Sequence, residues 1–163
     1  MRSLIIIFIV FFGTRCVAQA QDDKAQIAAV VDRLFKGMSL GDSAMVHSCF
    51  ADTVSMATIT RDRSGKPRMR REDSIEGFLR AVGTPHPDPW NEEIWQLNIS
   101  VDGDFAQAWC DYAFYVGNRF SHCGVDAFQF YRTMKGWKIF HLADTRRATD
   151  CDVPDSIREK HKP

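Results

Sequence analysis

The sequence lacks a net charge, a long apolar run and the cysteine spacing of a zinc site. Its 163 residues carry 21 basic and 21 acidic side chains, so no strong positive field draws the chain to nucleic acid. The longest apolar run, residues 4–12, is shorter than the roughly 20 residues that span a bilayer. The five cysteines include no Cys-x-x-Cys pair, which argues against structural zinc. We therefore expect no nucleic-acid partner, no metal and no cofactor.

The start of the chain has the pattern of a secretory signal peptide. One positive charge at Arg2 precedes the apolar run, and Ala18-Gln19-Ala20 fits a small-x-small cleavage site. We expect residues 1–20 to be a signal peptide cleaved after Ala20. The mature protein would then be periplasmic or secreted, without membrane contact. A lipoprotein signal at Cys16 is the alternative, but Arg15 stands where a small residue is required.

The rest of the chain has helical patterns first and strand patterns second, which predicts an α+β architecture. Residues 22–40 have one apolar stripe at helical spacing. From residue 95 onward apolar side chains alternate with polar ones, and three turns divide this part into four long strands. These turns are Asp102-Gly103, Gly117-Asn118 and Lys135-Gly136. The domain is predicted to cover 21–151, with a polar C-terminal tail at 152–163.

Two further helices, starting at Asp42 and Asp73, flank a hairpin that is rich in arginine. Six basic residues are crowded between Arg61 and Arg71, on both sides of the turn and within it. We interpret this hairpin as a solvent-exposed tip, and an anion site is the alternative.

Three late segments sharpen the identification of the fold: Ser121–Phe128 (SHCGVDAF), Gly136–Ile139 (GWKI) and Asp144–Arg147 (DTRR). With the order of helices, hairpin and strands, they resemble an exported bacterial branch of the nuclear transport factor 2-like superfamily, near its SnoaL-like and lumazine-binding-like groups. The resemblance covers about residues 22–151. It implies a cone-shaped curved antiparallel sheet wrapped around the N-terminal helices, a pocket between them, and homodimers through the convex sheet face. It implies no single activity, because the superfamily contains isomerases, dehydratases, cyclases and non-catalytic binders.

Strand register predicts the residues of the pocket. If both Gly117-Asn118 and Lys135-Gly136 are two-residue hairpin loops, opposed residues share a face. Aromatic walls with a few polar groups are typical of a small-molecule site, and we expect a small organic ligand there. Gly124 would leave space for it against the sheet. The face carries Trp109, Asp111, Tyr115, His122, Asp126, Phe128, Phe130, His141 and Arg147.

Asp126 and His122 are the candidate catalytic residues, and each has a structural alternative. Asp126 is either a general base or hydrogen-bond acceptor, or the partner of Arg147 in a buried ion pair. His122 either transfers protons near neutral pH or caps the strand edge. The main hypothesis is an exported small-molecule-binding protein of unknown specific activity. The alternatives are an isomerase or dehydratase that uses Asp126 and His122, and a dimeric structural module.

The opposite face of the sheet is predicted to be apolar and to be covered by a second subunit. Asp144 and Arg146 are assigned to this face as surface or dimer residues. Its apolar residues are Ala106, Ala108, Cys110, Tyr112, Phe114, Val125, Ala127, Tyr131, Phe140 and Leu142.

The same register predicts a disulfide between Cys123 and Cys151. Cys123 would lie opposite Ala148, only three residues before Cys151, which is within reach of the usual Cα separation of about 5.5 Å. Cys49 and Cys110 are expected to be buried thiols.

Overall fold

A computed structural model describes residues 13–162, and the apolar run at 4–12 of the predicted signal peptide lies outside them. The elements are α1 (Gly13–Leu40), α2 (Ser43–His47), β1 (Phe50–Arg61), β2 (Pro67–Glu72), α3 (Glu76–Gly83), β3 (Trp90–Asp102), β4 (Phe105–Val116), β5 (Arg119–Thr133), β6 (Gly136–Thr145) and α4 (Asp155–Lys160).

The strands form one curved, unclosed sheet in the order β2-β1-β6-β5-β4-β3. Neighbouring strands are antiparallel except β1 and β6, which are parallel. The predicted α+β class is confirmed.

Helix α1 packs against the sheet through the apolar stripe seen in the sequence. Ile27, Val31 and Leu34 are fully buried, and each such side chain contributes roughly 1.5–3 kcal/mol before entropy is subtracted. The ring of Phe35 meets Phe128 of β5 edge-on, with centroids 6.3 Å apart. The helix ends before Gly41, whose φ of 66° is left-handed. Among the helices of residues 13–162, none has the length and apolarity needed to cross a membrane.

A β-bulge shifts the register between β4 and β5. Beside the turn, Tyr115 pairs with Phe120, as two-residue loop geometry predicts. The bulge on the β5 side then pairs Phe114 with His122. Beyond it every pair is displaced by one residue. Since side chains alternate between faces, this slip moves the predicted β4 residues to the other side of the sheet.

A different turn and a second bulge shift the register between β5 and β6. The hairpin closes at Thr133 and Gly136, so Met134-Lys135 forms the turn rather than Lys135-Gly136. An irregularity beside Phe130 then pairs His141 with Gln129, whereas the predicted partner was Phe130. Close to the turn the register differs from the predicted one by two residues, which keeps each β6 side chain on its predicted face. Beyond Phe140 it differs by one residue, which moves each side chain to the other face.

The predicted apolar outer face is wrong for most of β4. Tyr112 and Cys110 are buried on the concave side, and Phe114 is half-buried there. Ala106 and Ala108 also belong to the core. Trp109, predicted to be a pocket residue, is instead 52% exposed.

The C-terminal segment is part of the fold rather than a polar tail outside it. Val153 and Ile157 are buried against Ala113 and Tyr115 of β4. The His161 ring stacks on Tyr115 at 3.8 Å between centroids. A disulfide joins Cys123 to Cys151 across 5.9 Å between Cα atoms, the pair that the register singles out. Cys49 and Cys110 are buried free thiols.

Candidate functional site

A cavity of about 570 Å³ lies between the concave face of the sheet and helices α1 and α3. This volume is in the range of about 300–1,000 Å³ that small-molecule sites have. Exposed residues around it, Arg70, Gly77, Ala81 and Arg146, mark its mouth. Its walls are mostly apolar and aromatic: Leu34, Phe35, Met38, Met56, Phe78, Trp90, Phe114 and Leu142.

Two carboxyl groups, Glu92 of β3 and Asp126 of β5, meet on the sheet side of the cavity. Asp126 is only 3% exposed, and its buried Oδ2 has no hydrogen-bond partner among the described residues. The carboxyl group of Glu92 lies close enough to perturb the titration of Asp126. Burial raises the pKa of Glu92 to about 7. Burial, followed by the charge of Glu92, raises the pKa of Asp126 well above its ordinary value. Two ionised carboxylates side by side would repel each other, so this arrangement favours keeping one proton on the pair near neutral pH.

A third carboxylate, Asp144 of β6, has its hydrogen bonds satisfied. Arg146 Nε donates to Asp144 Oδ2 at 2.6 Å, and the Thr58 hydroxyl donates to Oδ1 at 2.7 Å. The Tyr112 hydroxyl donates to the Thr145 carbonyl at 2.9 Å and lies 3.3 Å from Asp144 Oδ2. The positive charge of Arg146, at the mouth of the cavity, therefore neutralises the negative charge of Asp144.

His122 of β5 lines the same cavity as a neutral imidazole. Its ring lies 5.1 Å from Phe114 and 5.7 Å from Tyr112, centroid to centroid. Burial, together with the positive charge of Arg146, lowers the pKa of His122 to about 4. With the Ser121 hydroxyl 3.0 Å from Nδ1, the ring can accept there and donate from Nε2.

Of the nine predicted pocket residues, the cavity is lined by His122 and Asp126. Phe128 and Phe130 face inward but belong to the core. Tyr115 lies beneath the C-terminal segment. Phe128 and Phe130 therefore support the site from the core, whereas Tyr115 lies on the convex face, away from the cavity.

The remaining four predicted residues lie away from the cavity because of the register shifts. Trp109 and Asp111 are on the outer face, where Asp111 pairs with Val125. His141 forms a hydrogen bond of 2.7 Å with Ser55. Arg147 follows β6 and pairs with Cys123 through the backbone.

Two predictions about contacts near Gly124 also need correction. The expected space above Gly124 is filled, since a Cβ there would lie 1.7 Å from the Thr145 carbonyl oxygen. The expected ion pair between Asp126 and Arg147 is absent from the described residues. The carboxyl of Asp126 lies beside that of Glu92 instead, and Arg147 Nε donates to the Asp150 carbonyl.

Four residues that line the cavity are not among those predicted from the sequence: Glu92, Tyr112, Asp144 and Arg146. The sequence does contain a signal for Glu92. It lies on the same strand face as Trp90 and Ile94, where it is a single charged residue between two apolar ones. The other three were placed on the outer face by the unshifted register. Within residues 13–162, no group of three or more His, Cys, Asp or Glu side chains is arranged to hold a metal ion.

Solved structures share this fold at low sequence identity. No protein-family model and no curated protein matches the sequence. A protein from Novosphingobium aromaticivorans, described as NTF2-like with a cystatin-like fold, has a TM-score of 0.67 at 14% identity and covers 93% of this chain and 97% of its own. A putative dehydratase of the NTF2-like family from Streptomyces avermitilis has a TM-score of 0.59 at 16% identity, covering 80% and 99%. A putative aromatic ring hydroxylase from N. aromaticivorans has a TM-score of 0.59 at 14% identity, covering 79% and 92%. The chain has the nuclear transport factor 2-like fold, as the resemblance implied.

Proposed function

We propose that the protein binds a small, largely apolar organic molecule in this cavity and moves a proton on it, as an isomerase or a dehydratase does. The observation that carries this proposal is the close pair of Asp126, which is buried, and Glu92, which is half-buried, in the wall of an apolar cavity. A general base works best when its pKa is close to the working pH, and burial brings Glu92 there.

The two carboxyls take different parts in such a step. Asp126 keeps its proton and donates a hydrogen bond to Glu92, which is partly ionised at neutral pH. Glu92 then accepts a proton from a carbon beside a carbonyl, or returns one to a leaving hydroxyl. The neutral His122 can donate from Nε2 to the oxygen that gains negative charge.

Binding without turnover is the second candidate, because the same pair can orient a polar group of a ligand without reacting. Of the solved structures with this fold, one is described as a putative dehydratase and another as a putative ring hydroxylase. Fold similarity therefore leaves both candidates open, and binding and turnover must be measured separately.

We also propose that the mature protein is exported. The pattern of residues 1–20 supports this. So does the Cys123–Cys151 disulfide, because disulfides persist in oxidising compartments.

The experiment begins with the protein purified from its own compartment. Native mass spectrometry should show extra mass that leaves on denaturation and yields an extractable small molecule. That molecule is then incubated with enzyme in deuterated water, and deuterium uptake at carbon is followed. Glu92→Gln should slow uptake by about 100-fold or more while binding changes little. Glu93→Gln is the matched control, because Glu93 contacts Lys160 and His161 instead.

Two results would contradict the proposal at different levels. If no small molecule accompanies or binds the protein, the pocket assignment is wrong. If the molecule binds but uptake is absent, or survives Glu92→Gln, the protein is a binder without this chemistry.

A further inference from the structure

The concave face of the sheet carries more carboxyl groups than basic groups where it lines the cavity. Asp126 of β5 and Asp144 of β6 are directly opposed across their two strands, and like charges in opposed positions repel each other. Glu92 of β3 lines the same cavity and forms an acidic pair with Asp126. Three carboxyls are therefore concentrated on the sheet side of the cavity.

The basic side chains of the cavity do not match the acidic pair. Two arginines line the cavity, and both are held by other carboxylates: Arg146 by Asp144, and Arg70 by Glu72. Within residues 13–162, neither carboxyl of the acidic pair forms an ion pair with a basic side chain. When the pair is ionised, its negative charge is therefore not neutralised by a cation of the described chain.

Asp126 also has an unsatisfied hydrogen-bonding capacity. Its side chain lines the cavity and is 3% exposed, and its Oδ2 has no hydrogen-bond partner among residues 13–162. A buried polar atom without a partner is costly, and buried carboxyl oxygens normally have one. Glu92 is half-buried and lines the same cavity, so a group that enters the cavity can reach the acidic pair from this side.

Aromatic rings lie beside Glu92 on the same face of the sheet. Phe114 is directly opposite Glu92 across β3 and β4, and Trp90 precedes Glu92 by two residues on its strand. The two rings meet edge-on with centroids 5.9 Å apart, and both line the cavity. Ring faces attract cations that come within about 6 Å. Carboxyl groups and ring faces together favour a cation at this wall and disfavour an anion.

We propose that the ligand of the cavity is an organic cation, an apolar amine whose ammonium group lies between the acidic pair and the rings of Trp90 and Phe114. Its apolar body fills the space toward α1 and α3, which line the cavity with apolar residues. This inference rests on the proposed function of the cavity and adds the charge and the orientation of the ligand. A bound ammonium also favours the ionised form of Glu92, which is the form that accepts a proton in the proposed reaction.

A proton and an ammonium group compete for the acidic pair, so binding of the cation depends on pH. Burial raises the pKa of Glu92 to about 7. Burial also raises the pKa of Cys110 and Tyr112 and lowers that of His122 to about 4, so these three neighbours are neutral near neutral pH. The charged and titratable groups around the pair are Cys110 and Tyr112 of β4, His122 of β5, Asp144 and Arg146 of β6, and Arg70 and Glu72 of β2.

Three probes with one ring system and one attachment point test the inference. Naphthylmethylamine is cationic, naphthylmethanol is neutral and naphthoate is anionic. Their affinities are measured by calorimetry at about pH 6 and about pH 8, where an alkylamine carries its charge, for the wild type, Glu92→Gln and Glu93→Gln. Glu93→Gln is the matched control, because it makes the same change at a residue that contacts Lys160 and His161 instead. The neutral probe also reports whether each variant keeps its cavity.

We expect the amine to bind the wild type about tenfold more tightly than the alcohol at about pH 8, as a hydrogen bond between charged groups provides. The carboxylate should bind most weakly. Between about pH 6 and about pH 8 the affinity for the amine should rise about tenfold, because the ionised fraction of a group with a pKa of about 7 rises from about a tenth to about nine-tenths. Glu92→Gln should remove both effects, and Glu93→Gln should remove neither.

The outcomes separate this inference from the proposed function. If the amine and the alcohol bind the wild type equally, or if the preference for the amine survives in Glu92→Gln, the cationic ligand is overturned and the cavity remains. Tightest binding of naphthoate would overturn it as well. If none of the three probes binds, the cavity assignment fails and this inference fails with it.

Discussion

At the scale of the residue, Glu92 shows how burial changes the chemistry of a carboxyl group. An exposed glutamate is ionised throughout the neutral range. Beside Asp126 and inside an apolar cavity, Glu92 has a pKa of about 7. The protonated form is favoured in the folded state, so ionisation of Glu92 opposes folding. The same property that suits Glu92 to proton transfer therefore costs stability at neutral pH.

This cost predicts a pH dependence of unfolding. The folded pKa of Glu92 lies above its unfolded value of 4.5, so its contribution to stability is complete below that value. The contribution is lost as the pH rises through about 7. We expect the wild type to lose on the order of 2–3 kcal/mol of unfolding free energy over this interval. Glu92→Gln should show a smaller loss when unfolding by urea is measured across the same interval.

Glu93→Gln is the control for this measurement. Hydrogen bonds from Lys160 and His161 outweigh burial and lower the pKa of Glu93, so its stabilisation is lost toward acid instead. Removing Glu93 should leave the loss toward neutral pH in place. Parallel curves for the wild type and Glu92→Gln would refute the assignment.

At the scale of the element, the sequence predicts what depends on local chemistry. The apolar stripe at 22–40 matches most of α1, and Gly117, with a φ of 60°, marks the turn between β4 and β5. Strand β4 ends at Val116, directly before the predicted turn at Gly117-Asn118. These features depend on hydrophobic period and turn residues, which are local.

The bulges and α4 could not be predicted in this way. A bulge forms where the sheet as a whole has to bend. Ser121 and Phe140 are the unpaired residues of the two bulges, and neither residue type marks a bulge in a sequence. A helix as short as α4 shows no period, and its two apolar residues, Val153 and Ile157, find their partners only in the folded chain. Two one-residue slips were enough to misplace Asp144 and Trp109, whereas Asp126 and His122 were placed in the cavity.

The disulfide gives a prediction for the C-terminal segment. Cys123 and Cys151 are 28 residues apart, and closing a loop of this length stabilises by about 3–4 kcal/mol in the chain-entropy model. Cys151→Ser should lower the unfolding free energy by about that amount. Reductant should lower the wild type to the level of the variant and leave the variant unchanged. A wild type that is insensitive to reductant would contradict the role of the bridge.

At the scale of the whole molecule, the convex face of the sheet is covered at one end by the C-terminal segment and, within residues 13–162, exposes large apolar side chains elsewhere. The C-terminal segment covers Ala113 and Tyr115. Phe105, Trp109 and Tyr131 are 43%, 52% and 41% exposed. Three large exposed side chains on neighbouring strands are unusual for a monomer. We propose that a second copy of the chain covers them.

Sedimentation at micromolar concentration tests this assembly. The wild type should sediment at twice the chain mass, and Trp109→Arg should sediment as a monomer, because it places a charge within the apolar patch. Met134→Arg is the control, since Met134 is fully exposed at a turn, and it should leave the dimer intact. A wild type that remains monomeric would contradict the proposed dimer.

The proposed chemistry requires Glu92 and Asp126 to share a proton inside the cavity. A nuclear magnetic resonance titration of their isotope-labelled carboxyl carbons, assigned with Glu92→Gln and Asp126→Asn, tests this sharing directly. We expect a midpoint for Glu92 at about 7 and an Asp126 carboxyl that is still protonated at that pH. If both carboxyls titrate in the ordinary acidic range, the shared proton does not exist and the proposed chemistry loses its basis.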